Sequence, residues 1–304
     1  MNLQLPNTSL GKGPLKPISK TIDSCTSYRS FGTNITNLSQ PKFFVEEKTP
    51  ESSLNTYTNE TYSCMHCIEP HLIPQYGYMK SQLDINEKMR AMLIDWLVEV
   101  HLKFKLFPET LYLTINLIDR FLEKEPVKRQ KLQLVGITAM FIACKYEESC
   151  PPLVKDFAHI TDRAYSAEEI LLMERMILRV LDFRITLPSP FRFVEIYSQD
   201  FDLSSQNVHL IRYLIELSFI EYKMIRYQPS LLAASAIYLS RKILQRGMEL
   251  SFDTSPYKED SLKLCAKDMC ILLQGARRFP LQAVRKKYLH VNYCSVADID
   301  MSRV

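Results

Sequence analysis

Shifting the 304-residue sequence against itself by 97 places sets Leu113, Leu117, Ile118 and Asp119 on Leu210, Leu214, Ile215 and Glu216 without a gap. The same shift carries Leu134, Gly136, Thr138, Ala139, Phe141, Ile142, Ala143 and Lys145 onto Leu231, Ala233, Ser235, Ala236, Tyr238, Leu239, Ser240 and Lys242. Small residues fall on small and aromatic on aromatic. A segment with Gly or Ala, Thr or Ser, and Ala at close spacing, and apolar residues all round, is a helix that neighbours surround and approach closely. Each copy holds one, so the chain is expected to be all-α: two similar five-helix units in tandem, with no sheet.

Glycine usage agrees. Seven glycines in 304 residues is about 2%, against roughly 7% in average proteins. The single GxG, Gly11-Lys12-Gly13, has no strand before it, and no GxGxxG or GxxxxGK[ST] can be written, so folds that seat pyrophosphate on bare backbone are excluded. The first residues, MNLQLPNTSLGKG, lack an apolar signal core, and the longest uncharged apolar run, Leu134 to Cys144, is too short for a bilayer, so a soluble intracellular protein with no membrane contact is expected. Eight scattered cysteines then read as reduced thiols. Basic and acidic residues, 38 and 34, are mixed along the chain, and no direct nucleic-acid partner is expected.

Residues 1–55 are rich in Ser, Thr, Asn, Pro and Lys without an apolar period and read as a disordered tail. A short helix and lead-in (56–76) follow, carried by Tyr57, Thr61, Met65 and Ile68 and ending at Pro70. In the first unit (77–187), Asp84-Ile85-Asn86-Glu87 resembles a capping box with Asp84 as the cap. It opens a helix through Met89, Met92, Leu93, Trp96, Leu97, Val100 and Phe104. Pro108 starts the next helix, Lys131–Glu148 form a third, Leu153 to Ile160 a short fourth, and Ser166-Ala167-Glu168-Glu169 caps a fifth. Arg184 to Pro190, with two prolines, is a linker to the second unit (188–304).

Little in the chain resembles a reaction centre. Cys64-Met65-His66-Cys67 with His71 offers zinc ligands, but no second CxxC exists, and on a helix the two thiols are simply i,i+3 neighbours; no metal and no cofactor are expected. Glu147-Glu148 and Glu168-Glu169 point about 100° apart on a helix, so helix-end roles explain them more simply than acid/base work. No Ser, Cys or Thr has a neighbouring His and carboxylate in sequence, and no catalytic residue is assigned. Arg277, Arg278, Arg285, Lys286 and Lys287 lie on an amphipathic stretch with Leu281, Val284 and Leu289. They read first as a solvated helix face, with nuclear import or nucleic-acid contact as the alternative.

From Met89-Arg90-Ala91-Met92-Leu93-Ile94-Asp95-Trp96-Leu97-Val98-Glu99-Val100 the sequence resembles the cyclin box of mitotic, A- and B-type cyclins. The likeness continues through Glu109-Thr110-Leu111, Ile118-Asp119-Arg120-Phe121-Leu122, Lys131 to Gly136, Lys145-Tyr146-Glu147-Glu148, and Asp156-Phe157 to Ile160-Thr161-Asp162, covering about residues 57–295. Glu99, Cys150-Pro151-Pro152 and Leu281 to Tyr288 look most like the third subtype of B-type cyclins. The resemblance implies the cyclin fold and a non-catalytic subunit that activates a cyclin-dependent protein kinase at G2/M, in mitosis or meiosis. Such a protein would sit in the nucleus, and in the cytoplasm as well.

By the same resemblance Lys145 and Glu174 bond to the kinase, with Tyr146 and Phe183 packing beside them; the bland alternative is two solvated charges. A second implied site is a docking groove for substrates and inhibitors carrying Arg-x-Leu. Met89, Met92, Leu93 and Trp96 would form its floor, Glu99 would meet the arginine and Gln133 the peptide backbone. From spacing alone the same stripe reads as core. Arg90 and Asp119 would form an internal ion pair. Arg29, Ile35 and Asn37 match an RxxLxxIxN degron with Gly32 at the leucine position, which would bring in the ubiquitin-ligase machinery. The competing function is a nucleic-acid-associated transcription factor with the same tandem fold, as in general initiation factors; those usually carry a zinc ribbon and more basic repeats than one CxxC and a net charge of +4 supply.

Overall fold

In the computed structural model, which describes residues 51–186, 188–199, 201, 203–244 and 257–299 with side chains from Glu60 onward, the repeat is a repeat of helices. A leading helix α1 (Glu51–Leu72) precedes the first unit of α2 (Glu87–Phe104), α3 (Pro108–Lys124), α4 (Leu132–Glu147), α5 (Val154–Ile160) and α6 (Ala167–Val180). The second unit comprises α7 (Pro190–Ser198), α8 (Ser205–Ile220), α9 (Pro229–Leu244), α10 (Glu259–Gly275) and α11 (Ala283–Leu289). Among the described residues there is no strand. Both ends of α9 lie 97 residues beyond those of α4, Leu132 to Pro229 and Glu147 to Leu244.

Local chemistry sets most of the helix starts. Ser166 Oγ accepts from Glu169 N at 3.2 Å while Glu169 Oε2 accepts from Ser166 N at 3.1 Å, the reciprocal box expected there. Pro108 opens α3 and Pro190 opens α7, where a missing N–H costs nothing. Two expectations need correction. Asn86, not Asp84, caps α2, accepting from Met89 N at 3.1 Å, because Asp84 is engaged elsewhere as acceptor for Arg129 N at 2.7 Å. Helix α1 is longer than expected: it begins at Glu51, inside the stretch read as tail, and runs past Pro70 to Leu72. Pro70 stands in the last turn, so it removes only one near-terminal bond, and burial of Leu72 outweighs that loss.

Helix α4 is the axis of the first unit. Every residue from Leu132 to Cys144 is buried, and α2, α3, α5 and α6 all pack on it. Gly136 permits the close approach of α2. A Cβ there would stand 2.6 Å from Leu93 Cδ1 and 3.1 Å from Leu93 Cγ, inside contact distance of a side chain that is itself wholly buried on α2. Size, not backbone freedom, is what this glycine supplies.

Two buried ion pairs close the structure, and the repeat relates their acids. Asp119 on α3 accepts from Arg90 Nε and Nη2, both at 2.6 Å, and from the Tyr78 hydroxyl at 2.7 Å. Arg90 Nη1 donates onward to the Phe219 carbonyl of α8 at 2.9 Å, so one guanidinium ties the two units. Glu216, 97 residues after Asp119, accepts from Lys287 Nζ at 2.6 Å and from the Tyr288 hydroxyl at 2.7 Å. Lys287, read from sequence as part of a solvated basic face, is therefore a core residue. Asp95 on α2 accepts from Ala283 N at 2.9 Å and caps α11, a further tie between units.

Helix α1 leans on the second unit. Tyr62 and His66 pack edge-on or tilted against Phe193 and Tyr197, and the buried Glu69 carboxylate accepts from Ser230 N at 2.6 Å and Ser230 Oγ at 2.7 Å at the start of α9. The Leu72 carbonyl accepts from Asn116 of α3 at 3.0 Å, so the C-terminal end of α1 reaches the first unit.

Gly136→Ala should destabilise the protein by about 1–3 kcal/mol through overpacking. In a Leu93→Ala background the penalty should vanish, as urea unfolding of the four variants would show. His101 on α2 donates from Nε2 to the Phe107 carbonyl at 3.0 Å, and burial, with the Lys287 ammonium nearby, pushes its imidazole down to about 3 from the usual 6.5. Between those values the unfolded chain binds a proton that the folded chain refuses, so stability rises with pH there by about 1.4 kcal/mol per unit. His101→Gln should flatten the slope by about one proton between about pH 3.5 and 6, measured by urea titration across that range.

Candidate functional site

The fold brings Lys145 and Glu174 together. Lys145 lies in the last turn of α4 and Glu174 mid-way along α6, and the ammonium donates to Glu174 Oε1. The ammonium also lies 4.4 Å from the Phe141 ring centroid. Glu174 is nearly buried while Lys145 is 43% exposed, so the cation is the solvent-accessible member of the pair. The bland alternative of two independent solvated charges does not describe this geometry.

Apolar surface flanks the pair. Tyr146 is half exposed, and its hydroxyl meets Thr186 Oγ1 at 2.6 Å, which ties the end of α4 to the segment after α6. Phe183 is 68% exposed, and both it and Asp182 have positive φ, 55° and 53°. A bulky residue in the left-handed region costs about 1–2 kcal/mol, and here no burial of the ring offsets it. Leu171, Leu172 and Met176 are also exposed on α6, with Leu153 just before α5. Sequence reading missed these four. The signal was available in α6, which carries more large apolar residues than its buried stripe of Ile170, Glu174 and Ile177 can use; Leu171, Leu172 and Met176 are the ones left exposed.

Residues expected to form the docking groove divide between core and surface. Leu93 has no exposed area and packs on Gly136, so it belongs to the core and cannot be touched by a docked peptide. Trp96 is only 6% exposed, with its indole Nε1 buried and unpartnered. Gln133, on α4 one turn before Gly136, likewise has a buried amide Nε2 with no partner. Met92 is 40% exposed, and Met89 and Glu99 are partly exposed on α2. Burial, with the nearby Glu99 carboxylate, pushes the Asp95 carboxyl up against the opposing pull of the Ala283 amide and the Lys286 ammonium. The arrangement is two apolar side chains at the surface, two unused donors and two neighbouring carboxylates.

Residues 60–186 match the family described as Cyclin, N-terminal domain, and residues 188–302 the one described as Cyclin, C-terminal domain. The chain belongs to the cyclin family. This cyclin is 46% identical over 227 residues to a protein named Cyclin-B2-1 from Oryza sativa subsp. japonica, covering 74% of this chain and 53% of that protein. It is 43% identical over 246 residues to the G2/mitotic-specific cyclin-B of Marthasterias glacialis, covering 80% and 63%. The G2/mitotic-specific cyclin-B2 of Oryzias javanicus is also 43% identical, over 239 residues, covering 76% and 62%. The chain thus spans between 53% and 63% of the length of these relatives. Their names are those of B-type cyclins, two of them of the second subtype, so the kinship is with B-type cyclins and not specifically with the third subtype. The fold matches a viral cyclin from herpesvirus saimiri with TM-score 0.60 at 18% identity, over 68% of this chain and 95% of that one.

Elsewhere in this cyclin the other candidates settle differently. The Arg90–Asp119 pair is formed. The degron positions Arg29, Ile35 and Asn37 lie outside the described residues. Cys64 and Cys67 are exposed, His66 Nδ1 lies 3.5 Å from Glu69, and among the described residues no group of three or more His, Cys, Asp or Glu is placed to hold a metal ion. Among the same residues no helix is long and apolar enough to cross a membrane. The basic run after α10 is divided: Lys287 is buried against Glu216 and Arg277 pairs with Asp298 at 2.8 Å.

Proposed function

We propose that this cyclin binds and activates a cyclin-dependent protein kinase at G2/M, supplying no catalytic group itself. The observation that carries the reading is the Lys145–Glu174 pair, set in uncovered apolar surface with Phe183 held in a costly backbone conformation. Kinase activity requires a Lys–Glu ion pair that forms only when the αC helix is correctly placed. A rigid helical body whose charged pair is already organised can hold that helix without losing entropy of its own. The names of the B-type relatives support the same timing. The division of the basic run disfavours the nucleic-acid reading, which needs a concentrated basic face.

Within that proposal, Met89, Met92, Trp96, Glu99 and Gln133 recruit Arg-x-Leu substrates and inhibitors. Met89 and Met92, which keep exposed area, would meet the motif's apolar side chain, and Glu99 its arginine. Nuclear and cytoplasmic residence and turnover through the Arg29 degron complete the proposal. On subtype, Cys150-Pro151-Pro152 and Leu281 to Tyr288 support the third, which a tree of full-length B-type sequences would test.

Adding the protein to purified, inactive cyclin-dependent kinases should raise phosphorylation of a generic peptide; silence across a panel of such kinases would sink the proposal. Lys145→Ala and Glu174→Ala should each weaken kinase binding by about 2–5 kcal/mol. The double variant should lose less than the sum, because the two groups act as one unit. Met89→Ala with Met92→Ala, both at the surface, should leave generic-peptide activity unchanged and slow Arg-x-Leu substrates. An equal fall for both substrate classes in a folded variant would remove the groove assignment.

A further inference from the structure

A cleft of about 490 Å³ opens where the lead-in before α2, the first residues of α2 and the turn after α8 meet. That volume falls within the range of about 300–1,000 Å³ typical of ligand sites. Its floor is apolar: Met79 and Ile85 line it and are only 7% and 5% exposed. Its wall is aromatic. Tyr222 is buried, and the half-exposed Tyr76 stacks on it with ring centroids 5.8 Å apart and 29° between the planes. The wall is fixed in advance, because the Tyr222 hydroxyl accepts from Gly77 N at 3.1 Å and from Met79 N at 3.0 Å. Gly77 makes this turn at φ 97°, and the Arg90 guanidinium lies 5.9 Å from the Tyr222 ring centroid. Neither Met89 and Met92 nor Lys145 and Glu174 line the cleft, so it is separate from both interfaces proposed above.

Lys80 and Lys88 also line the cleft. Both are exposed, and among the described residues neither ammonium has a partner. The acid in the lining, Glu87, is the first residue of α2, where the positive end of the helix already offsets its charge. Lys88, one residue on, meets the same helix end with nothing to offset it, so the rim carries uncompensated positive charge. The Gly77 and Met79 amides are engaged by Tyr222, and Asn86 Oδ1 by Met89 N, so the recognition of charge falls to two flexible ammonium groups. Such mobile point charges suit carboxylates spaced along a chain better than a phosphate, which is ordinarily held in a cradle of N–H groups. We propose that this cleft docks an acidic linear segment of a partner protein. A large apolar side chain of that segment rests on Met79 and Ile85 against the tyrosine wall, and flanking Asp or Glu residues meet Lys80 and Lys88.

The test is selection of a phage-displayed library of random linear peptides on the full chain, after removal of phage that bind a Lys80→Glu, Lys88→Glu variant. Both lysines are exposed and unpartnered, so the variant should unfold in urea at the wild-type midpoint. The peptides that remain should share Asp or Glu on either side of a Phe, Leu or Trp. A fluorescein-labelled copy of the enriched peptide should bind wild type about tenfold more tightly than Lys80→Ala with Lys88→Ala. Its affinity should fall as salt is raised and should be unchanged by Met89→Ala with Met92→Ala. A selection that yields no acidic consensus, or equal affinity for wild type and the lysine variant, would overturn the proposal. Displacement by inorganic phosphate at matched ionic strength would make the cleft a phosphate site and overturn the carboxylate assignment. Loss of binding in the Met89/Met92 variant would place the peptide in the docking groove instead. Tighter binding after Glu46→Lys with Glu47→Lys would assign the cleft to the chain's own Phe43-Phe44-Val45-Glu46-Glu47, in cis or from a second copy, and overturn the partner.

Discussion

The fork between Arg90 and Asp119 holds the two halves of this cyclin in one arrangement. Both groups are buried, both carboxylate oxygens are used, and the remaining guanidinium nitrogen crosses to the Phe219 carbonyl at the end of α8. A buried pair adds little net stability over an apolar substitute, yet losing one partner leaves a charge stranded at a cost of about 3–5 kcal/mol. The interaction therefore acts chiefly as a constraint on geometry. It fixes α2 against α3 within the first unit and against α8 in the second, and Asp95 extends the same helix to the start of α11. With α2 held, Leu93 can sit on Gly136, and α4 can carry Lys145 to a set place at its far end.

The second unit repeats the solution with different residues. Glu216 stands where Asp119 stands and also takes a cation and a tyrosine hydroxyl, but the cation comes from the C-terminal side, Lys287, instead of from the preceding helix. A carboxylate on the surface-poor side of a central helix pair must be neutralised by a hydrogen-bonded cation, because desolvation of a lone charge is costly. The repeat preserves that requirement and lets its partner vary. His101 is held neutral beside the same ammonium, so α2 touches both charge networks.

Against this over-determined interior, apolar side chains stay exposed at two places that the proposed function uses. One surrounds Lys145 and Glu174, with Tyr146, Leu171, Met176 and Phe183; the other lies on α2 around Met92. Lys145 stands in the last turn of α4 and the buried Gln133 in its first, with Gly136 between them in the chain.

The repeat, the scarcity of glycine, the prolines opening α3 and α7 and the Ser166–Glu169 box are local or periodic, and the sequence by itself determined from them the all-α class, the two units and most helix starts. It could not decide which members of an apolar stripe are core. Leu93 and Met92 are adjacent letters of one motif, but Leu93 lies under Gly136 and Met92 faces solvent, a distinction that depends on where α4 passes. Nor could it pair charges across the chain: Lys287 belongs to Glu216, Asp84 to the Arg129 amide and Lys145 to Glu174, separations of 71, 45 and 29 residues. Helix periodicity carries information over one or two turns. Which charge is buried against which, and which apolar residue remains for a partner, is set by long-range packing, and only the tertiary structure decided it.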